Sequence, residues 1–291
     1  MRLWAISDLH LGTAINRQAL AAVPDHGDDW LILAGDVAER EEHLDAAFAV
    51  LGTRFGRLLW VPGNHELWTL ARDGVPKPAR GVARYQALVA LARNRGVLTP
   101  QDPYPVWPGP GGPAVVAPLF LLYDYSFRPD HVPAAEAVAW AMEEDIVCTD
   151  EMLLHSDPYP TRAVWCAQRC TETEARLAAI DPALPTVLIN HWPLRQDLVQ
   201  LPRIPRFSPW CGTRRSEDYH RRFRACVVIS GHLHIRSTRE RHGVRFEEVS
   251  LGYPRQWYGE RGIAAYLRQI LPPPVASSED RRMLDSAPAA W

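Results

Sequence analysis

The sequence predicts an α/β fold built from parallel βαβ units, and three observations carry that reading. Within the first 61 residues an apolar strand, a polar loop and a helical segment follow one another repeatedly, the pattern that joins parallel strands through crossover helices. The chain has 291 residues, 47% of them hydrophobic, enough for a sizeable core, and α/β folds of this length often form one domain. Each strand also stops at a small cluster of Asp, Asn, His and Gly, and strand ends are where α/β sheets bind ligands.

The first strand is read at residues 2–7 and leads through a loop to a helix starting near Asn16. A second, at 30–34, stops at Gly35-Asp36 and precedes helical sequence at 41–51. The third, at 58–61, opens the run LLWVPGNHELW, in which Pro62-Gly63 ends the strand and Asn64, His65 and Glu66 arrive together. Residues 80–95 read as a helix, the Pro- and Gly-rich 100–113 as loop or edge, and 114–117 as a strand. Helical periodicity returns at 133–144 and 161–180. Buried strands at 186–189 and 226–230 end at Asn190-His191 and Gly231-His232, and 243–250 looks like a late antiparallel strand. From Leu271 the Pro-rich, Ser-Ser-Glu-Asp-containing sequence reads as weakly ordered. The expected organisation is one domain over 1–270 with a pocket-shaping insert at 67–185, then a tail at 271–291.

A net charge of −2 and a pI near 6.6 exclude a general attraction to nucleic acid or anionic membrane. No apolar run approaches the length of a bilayer span. The N-terminal MRLWAIS is interrupted at once by Asp8 and His10, unlike a signal peptide. Five irregularly spaced cysteines suit a reducing compartment, so a cytoplasmic protein is expected. Cys166 and Cys170 lie four apart on a helix with no second pair nearby, and read as packed thiols rather than a metal clip.

The strands end at Asp8-Leu9-His10, Gly35-Asp36, Gly63-Asn64-His65-Glu66, Asn190-His191 and Gly231-His232-Leu233-His234, which hold five of the eleven histidines. Carboxylate and imidazole together suit divalent transition metals better than Ca or Mg. Glycines before Asp36, Asn64 and His232 let the backbone come close to a charged group. Taken singly, Asp8 is a turn cap, His10 an exposed polar group, Asn64 a turn former and His191 a satisfied core histidine. Two imidazoles one residue apart on extended backbone, however, project to the same side, and five such ends in one chain exceed coincidence.

These blocks resemble the calcineurin-like metallophosphoesterases, whose pattern runs D-x-H, G-D, G-N-H-[ED], a lone H and G-H-x-H. All five are present in order from Asp8 to His234. The resemblance implies two packed mixed β-sheets flanked by α-helices, with two metal ions at the strand ends. It implies Asp8, His10 and His234 as ligands of one ion, Asp36 as a bridging carboxylate, and Asn64, His191 and His232 as ligands of the second. His65 is left to face substrate as an acid or electrostatic stabiliser, with Glu66 orienting it. The implied cofactors are two divalent transition ions: Mn, Fe, Zn or Ni. Such a pair, about 3.5–4 Å apart, clamps the attacking and leaving oxygens of an in-line displacement at phosphorus, with a bridging hydroxide as nucleophile.

Substrate features are less sharp. GDVAER resembles the G-D-x-x-D-R of the superfamily's protein Ser/Thr phosphatases, which makes Arg40 a candidate phosphate ligand, although Glu39 replaces Asp and no Gly follows. The alternative for Arg40 is a solvated charge opening a helix. Residues 202–224 carry seven arginines among Phe207, Trp210, Tyr219 and Phe223. Of these Arg206, Arg214 and Arg215 are candidates to grip phosphate, while Arg221 and Arg222 suit a basic surface helix. LLYDYSF, at 121–127, weighs more as core than as pocket wall, and Asp73 and Lys77 are placed as a cover for the site. A small-molecule phosphomonoesterase is expected, because a monoester dianion presents more charge for the arginines to neutralise. The alternative is a phosphodiesterase acting on cyclic nucleotides or other small diesters. A nuclease shares the DLHLG opening but needs a basic tract that is missing here. A non-catalytic metal-binding scaffold predicts lost ligands, and none is lost. The expected partner is therefore a small-molecule phosphate ester, with neither membrane nor nucleic acid.

Overall fold

Strands as apolar as WLIL and TVLI cannot leave either face in water, and both faces are covered here. The computed structural model describes residues 1–71 and 78–274, so Asp73, Lys77 and nearly all of the proposed tail lie outside the described residues. In chain order the strands are β1 (Leu3–Ile6), β2 (Trp30–Leu33), β3 (Arg57–Trp60), β4 (Val106–Trp107) and β5 (Ala114–Pro118). They continue with β6 (Thr186–Ile189), β7 (Ala225–Ser230), β8 (Ser237–Arg241), β9 (Val244–Glu248) and β10 (Arg268–Leu271). One sheet has the order β10-β1-β2-β3 and the other β4-β5-β6-β7-β9-β8. β1–β2–β3 and β5–β6–β7–β9 are parallel, whereas β10, β4 and β8 join antiparallel, so both sheets are mixed.

The two-residue period of a strand divides the apolar side chains between two layers. Leu3, Ala5, Ile32 and Leu59 of the first sheet meet Val116, Val187, Ile189, Val227 and Ile229 of the second in one buried cluster between the sheets. The intervening Leu31, Leu33, Leu58, Trp60, Leu188 and Val228 belong to a second cluster shared with the helices. Those helices include α1 (Ala14–Ala21), α2 (Glu41–Gly52), the single turn α3 (Asn64–Leu67) and α4 (Gly81–Asn94). Then come α5 (Ala137–Met142), the single turn α6 (Asp150–Leu153), α7 (Arg162–Ala178) and α8 (Tyr219–Arg222). Thr161 caps α7 by accepting the Val164 amide at 3.2 Å. On its inner face Cys166 and Cys170 are free, buried thiols.

Three expectations change. β9 runs antiparallel only to β8, a polar edge strand of sequence STRER that has no apolar alternation to betray it, and it runs parallel to β7. Leu271, read as the start of a weakly ordered tail, instead closes β10, where it and Ile270 are buried beside β1. The helix read at 133–144 is a 3₁₀ turn followed by the short α5. The segment at 67–185 also supplies β4 and the inner strand β5 of the second sheet. No helix among the described residues is long and apolar enough to cross a membrane.

Truncating Leu59, fully buried between the sheets, to Ala is expected to lower stability by about 2–5 kcal/mol. Val106→Ala on the exposed edge strand should stay within about 0.5 kcal/mol of the parent, both read from urea unfolding midpoints.

Candidate metal centre

The carboxyl ends of β1, β2, β3, β6 and β7 carry all the motif residues to one edge of the molecule, where the sheets are tied together. Ser7 bridges Ser250 there, through Ser7 N to Val249 O at 3.2 Å and Leu251 N to Ser7 O at 2.9 Å. The result is three groups whose ligand atoms lie within 4.8 Å of one another: Asp8–His10–His234, His10–Asp36–His65 and Asp36–His191–His232. Asn64 joins the third through its Oδ1, 3.3 Å from His191 Nε2. The first and third groups each take side chains from both sheets.

The backbone needed for this convergence is unusual. Asp8, His10, Asp36, His232 and His234 have φ of 54°, 42°, 52°, 72° and 54°, five of the nine non-glycine residues in the left-handed region among the described residues. That conformation is sparsely populated for residues with a Cβ and persists where surroundings over-determine it. Asp8 N donates to Gly35 O at 2.9 Å and His10 N to Asp36 O at 3.1 Å. At Gly63 a Cβ would stand 2.1 Å from Asp36 Oδ1, and at Gly35 (φ +90°) it would stand 2.5 Å from His191 Nδ1. Glu66 does not orient His65 as the sequence suggested. Its buried carboxylate accepts the backbone N–H groups of Asp36 (2.9 Å), Val37 (2.6 Å) and Gly63 (2.9 Å), stapling two ligand loops together. Burial, then the charge of Asp36, pushes Glu66 up to about 7.

Four of these side chains are oriented from behind. Asp8 Oδ2 accepts from Ser7 Oγ (2.6 Å) and Ser250 Oγ (2.8 Å), so that Oδ1 faces His234 Nε2 at 3.0 Å. His234 donates its Nδ1–H to Gln256 Oε1 at 2.9 Å, and His191 its Nδ1–H to the Ala34 carbonyl at 2.9 Å. Both bonds turn Nε2 inward, toward the carboxylates. His10 Nε2 lies 3.0 Å from His234 Nε2, and His191 Nε2 lies 3.4 Å from Asp36 Oδ2. The Asn64 amide donates to Asp150 Oδ1 at 3.0 Å, an oxygen that also accepts Trp68 Nε1–H at 2.6 Å, and so presents its own oxygen to His191. Asp150 is fully buried on α6. No motif announces it, because its role exists only through contact with Asn64.

These residues fit divalent transition ions. Ligands bonded at about 2.0–2.1 Å in tetrahedral or octahedral arrays sit roughly 3.0–3.4 Å apart, the spacing of His10–His234, Asp8–His234, His191–Asn64 and His191–Asp36, while Asp8 and His10 are 3.9 Å apart. His232 Nε2 is buried with no hydrogen-bond partner among the described residues, and burial together with the charge on His191 pushes its imidazole down to about 3. That unprotonated nitrogen is an unmatched lone pair which a cation satisfies. Burial disfavours charge on Asp8 and Asp36, yet His234 and His191 hold them below the usual carboxylate range. The pocket therefore calls for positive charge.

His65 stands beside the groups with a different environment. Its Nδ1 lies 3.1 Å from Glu39 Oε1, its Nε2 3.8 Å from Asp36 Oδ2, and its ring 3.8 Å from that of Trp68. Burial opposes its charge, but Asp36 and Glu39 push it up to about 9. Glu39 was noticed in the sequence only as a departure from a motif. In the structure it holds the site histidine.

The candidate arginines are engaged elsewhere. Exposed Arg40 pairs with Glu42 at 3.5 Å. Arg206 pairs with Glu143 (2.6 Å) and Glu144 (3.1 Å) over the Trp140 ring. Arg214 pairs with Asp130 at 2.6 Å and bonds Gln196 Oε1 at 2.9 Å. Arg215 is exposed, its amide donating to Thr213 Oγ1. The structure brings the seven candidate ligand residues and His65 together and gives Arg40, Arg206 and Arg214 surface acids as partners. Leu121, Leu122, Tyr123 and Phe127 are core, as weighed from sequence.

Facing mixed sheets with such a carboxylate–imidazole cluster at their joined edge define a metallophosphoesterase. The family model for calcineurin-like phosphoesterase matches residues 1–236, and the chain belongs to that family. It is 50% identical over 274 residues to the acyl-carrier-protein phosphodiesterase PptH of Mycobacterium tuberculosis, covering 94% of this chain and 84% of the relative. It also superposes on the crystal structure of phosphopantetheinyl hydrolase PptH from the same organism with a TM-score of 0.90 and 49% identity, across 95% of this chain and 98% of that one. The chain is thus a phosphoric ester hydrolase, of a family that typically carries a dinuclear divalent metal centre.

Asp150→Ala should release the Asn64 amide and weaken one metal site, by about 10–100-fold in affinity, while the other keeps its affinity. Metal titration of the purified variant reads both.

Proposed function

We propose that the chain is a two-metal phosphodiesterase that acts on a phosphopantetheinylated acyl carrier protein. The observation that carries this is the convergence of all seven ligand residues and His65 at one edge, in a chain half identical to a relative named for that activity. The monoesterase expectation rested on free guanidinium groups meeting a dianion. Arg206 and Arg214 are instead neutralised by Glu143, Glu144 and Asp130. A diester, with one negative charge on phosphorus, asks less of them. A protein-borne substrate replaces the expected small molecule. Buried free thiols agree with a reducing cytoplasm.

In this reading Asp8, His10 and His234 hold one ion, Asn64, His191 and His232 the other, and Asp36 is shared. Nitrogen and oxygen donors of this kind suit Mn, Fe, Zn or Ni. Two divalent ions bound there would neutralise phosphoryl charge and acidify a water between them. The remaining work falls to His65. Glu39 holds its Nδ1 and the Trp68 ring fixes its plane, so that Nε2 protonates the departing oxygen or stabilises the charged phosphoryl group.

The test is elemental analysis of protein loaded with Mn, Fe, Ni or Zn, with assays on a bis-nitrophenyl diester, a nitrophenyl monoester and phosphopantetheinylated carrier protein. About two ions per chain, diester turnover above monoester turnover and release of phosphopantetheine are expected. Monoester turnover alone would restore the phosphatase, and bound ions without any turnover the scaffold. Asp36→Asn should abolish activity and loosen both ions. His65→Gln should keep both ions while turnover falls by about 10²–10⁴-fold; equal metal loss in the two variants would make His65 a ligand instead.

A further inference from the structure

Residues 252–257, GYPRQW, lie beyond the 1–236 matched by the family model, yet they are built onto the metal centre. Gly252 N donates to Asp8 O at 3.0 Å, and its carbonyl accepts Asn16 Nδ2–H at 3.0 Å. Gln256 Oε1 accepts both His234 Nδ1–H (2.9 Å) and Tyr253 N–H (2.8 Å). One side-chain oxygen therefore orients a ligand histidine and fixes the backbone of Tyr253.

The Tyr253 ring lies parallel to the His10 imidazole, with centroids 4.2 Å apart and planes 13° apart, and 5.4 Å from His234. His10 is 1% exposed whereas Tyr253 is half-buried, so the phenol ring is the solvent-side layer of the stack. Its hydroxyl has no hydrogen-bond partner among the described residues. A phenol hydroxyl carries its proton at neutral pH and can donate it in a hydrogen bond.

We propose that Tyr253 is a catalytic residue that contacts substrate, its hydroxyl donating to a phosphoryl oxygen of the ester lying against the Asp8–His10–His234 group. This rests on the phosphodiesterase reading above and adds to it a donor supplied from outside the family's matched segment. Tyr253→Phe keeps the ring stack and removes only the donor. Metal-loaded parent and variant are compared in metal content, in the Kd of inorganic phosphate by calorimetry, and in kcat and KM on the bis-nitrophenyl diester. The variant should bind as many ions as the parent, with phosphate affinity and diester kcat/KM each lower by roughly 10–100-fold, the range of a hydrogen bond to a charged group. Unchanged phosphate affinity would overturn the contact, and so would loss of metal, which would make the residue structural. If the parent cleaves no diester but the variant still binds phosphate more weakly, the contact stands and the diesterase reading falls.

Discussion

Everything at the site depends on holding five of its residues in a backbone conformation they would not adopt alone. Asp8, His10, Asp36, His232 and His234 all sit at positive φ, at a cost of order 1–3 kcal/mol each. The fold offsets that cost with hydrogen bonds between neighbouring strand ends rather than within them. Asp8 leans on Gly35, His10 on Asp36, and Glu66 gathers the amides of Asp36, Val37 and Gly63. Each loop is thus held by the next, which is why these loops can be short and still aim their side chains.

The second constraint is electrostatic. Two fully buried carboxylates would be prohibitive without compensation, and the imidazoles of His191 and His234 provide it by contact. The surrounding residues fix which ring nitrogen or amide oxygen faces the cluster. Gln256, the Ala34 carbonyl and Asp150 each accept a hydrogen bond from the far side of a site residue and turn its other polar atom toward the cluster. Those partners come from the C-terminal segment, the end of β2 and the segment between β5 and β6, so regions distant in sequence share responsibility for one cluster.

The arginines show how composition misleads when pairing is ignored. A run of guanidinium groups between two ligand blocks invites a phosphate-binding reading, yet Arg206 and Arg214 answer to Glu143, Glu144 and Asp130. Ion pairs of this exposed kind are individually weak, but they decide where the side chains point. With those groups turned to the surface, Arg206 and Arg214 stand apart from the groups gathered at the cluster.

The sequence by itself determined the parallel strand–helix alternation and the strand ends as the place where Asp, Asn and His side chains gather. These are local signals: apolar runs broken by Gly, and His beside Asp or Asn where a strand must stop. It did not determine β8, whose polar residues carry no alternation, or β10, whose apolar pair is buried only because β1 lies beside it. Nor did it reveal Asp150, Gln256 and Tyr253, or the role of Glu39. Their parts are defined by contacts across 86 positions for Asn64–Asp150 and 26 for Glu39–His65, and Tyr253 reaches His10 from the far end of the chain. Both metal groups draw side chains from both sheets, so they exist only once the sheets have packed and joined at Ser7 and Ser250. The residues were written in the chain, but their grouping came from the packing of the Leu3, Ile32, Ile189 and Ile229 layer that brings the two edges together.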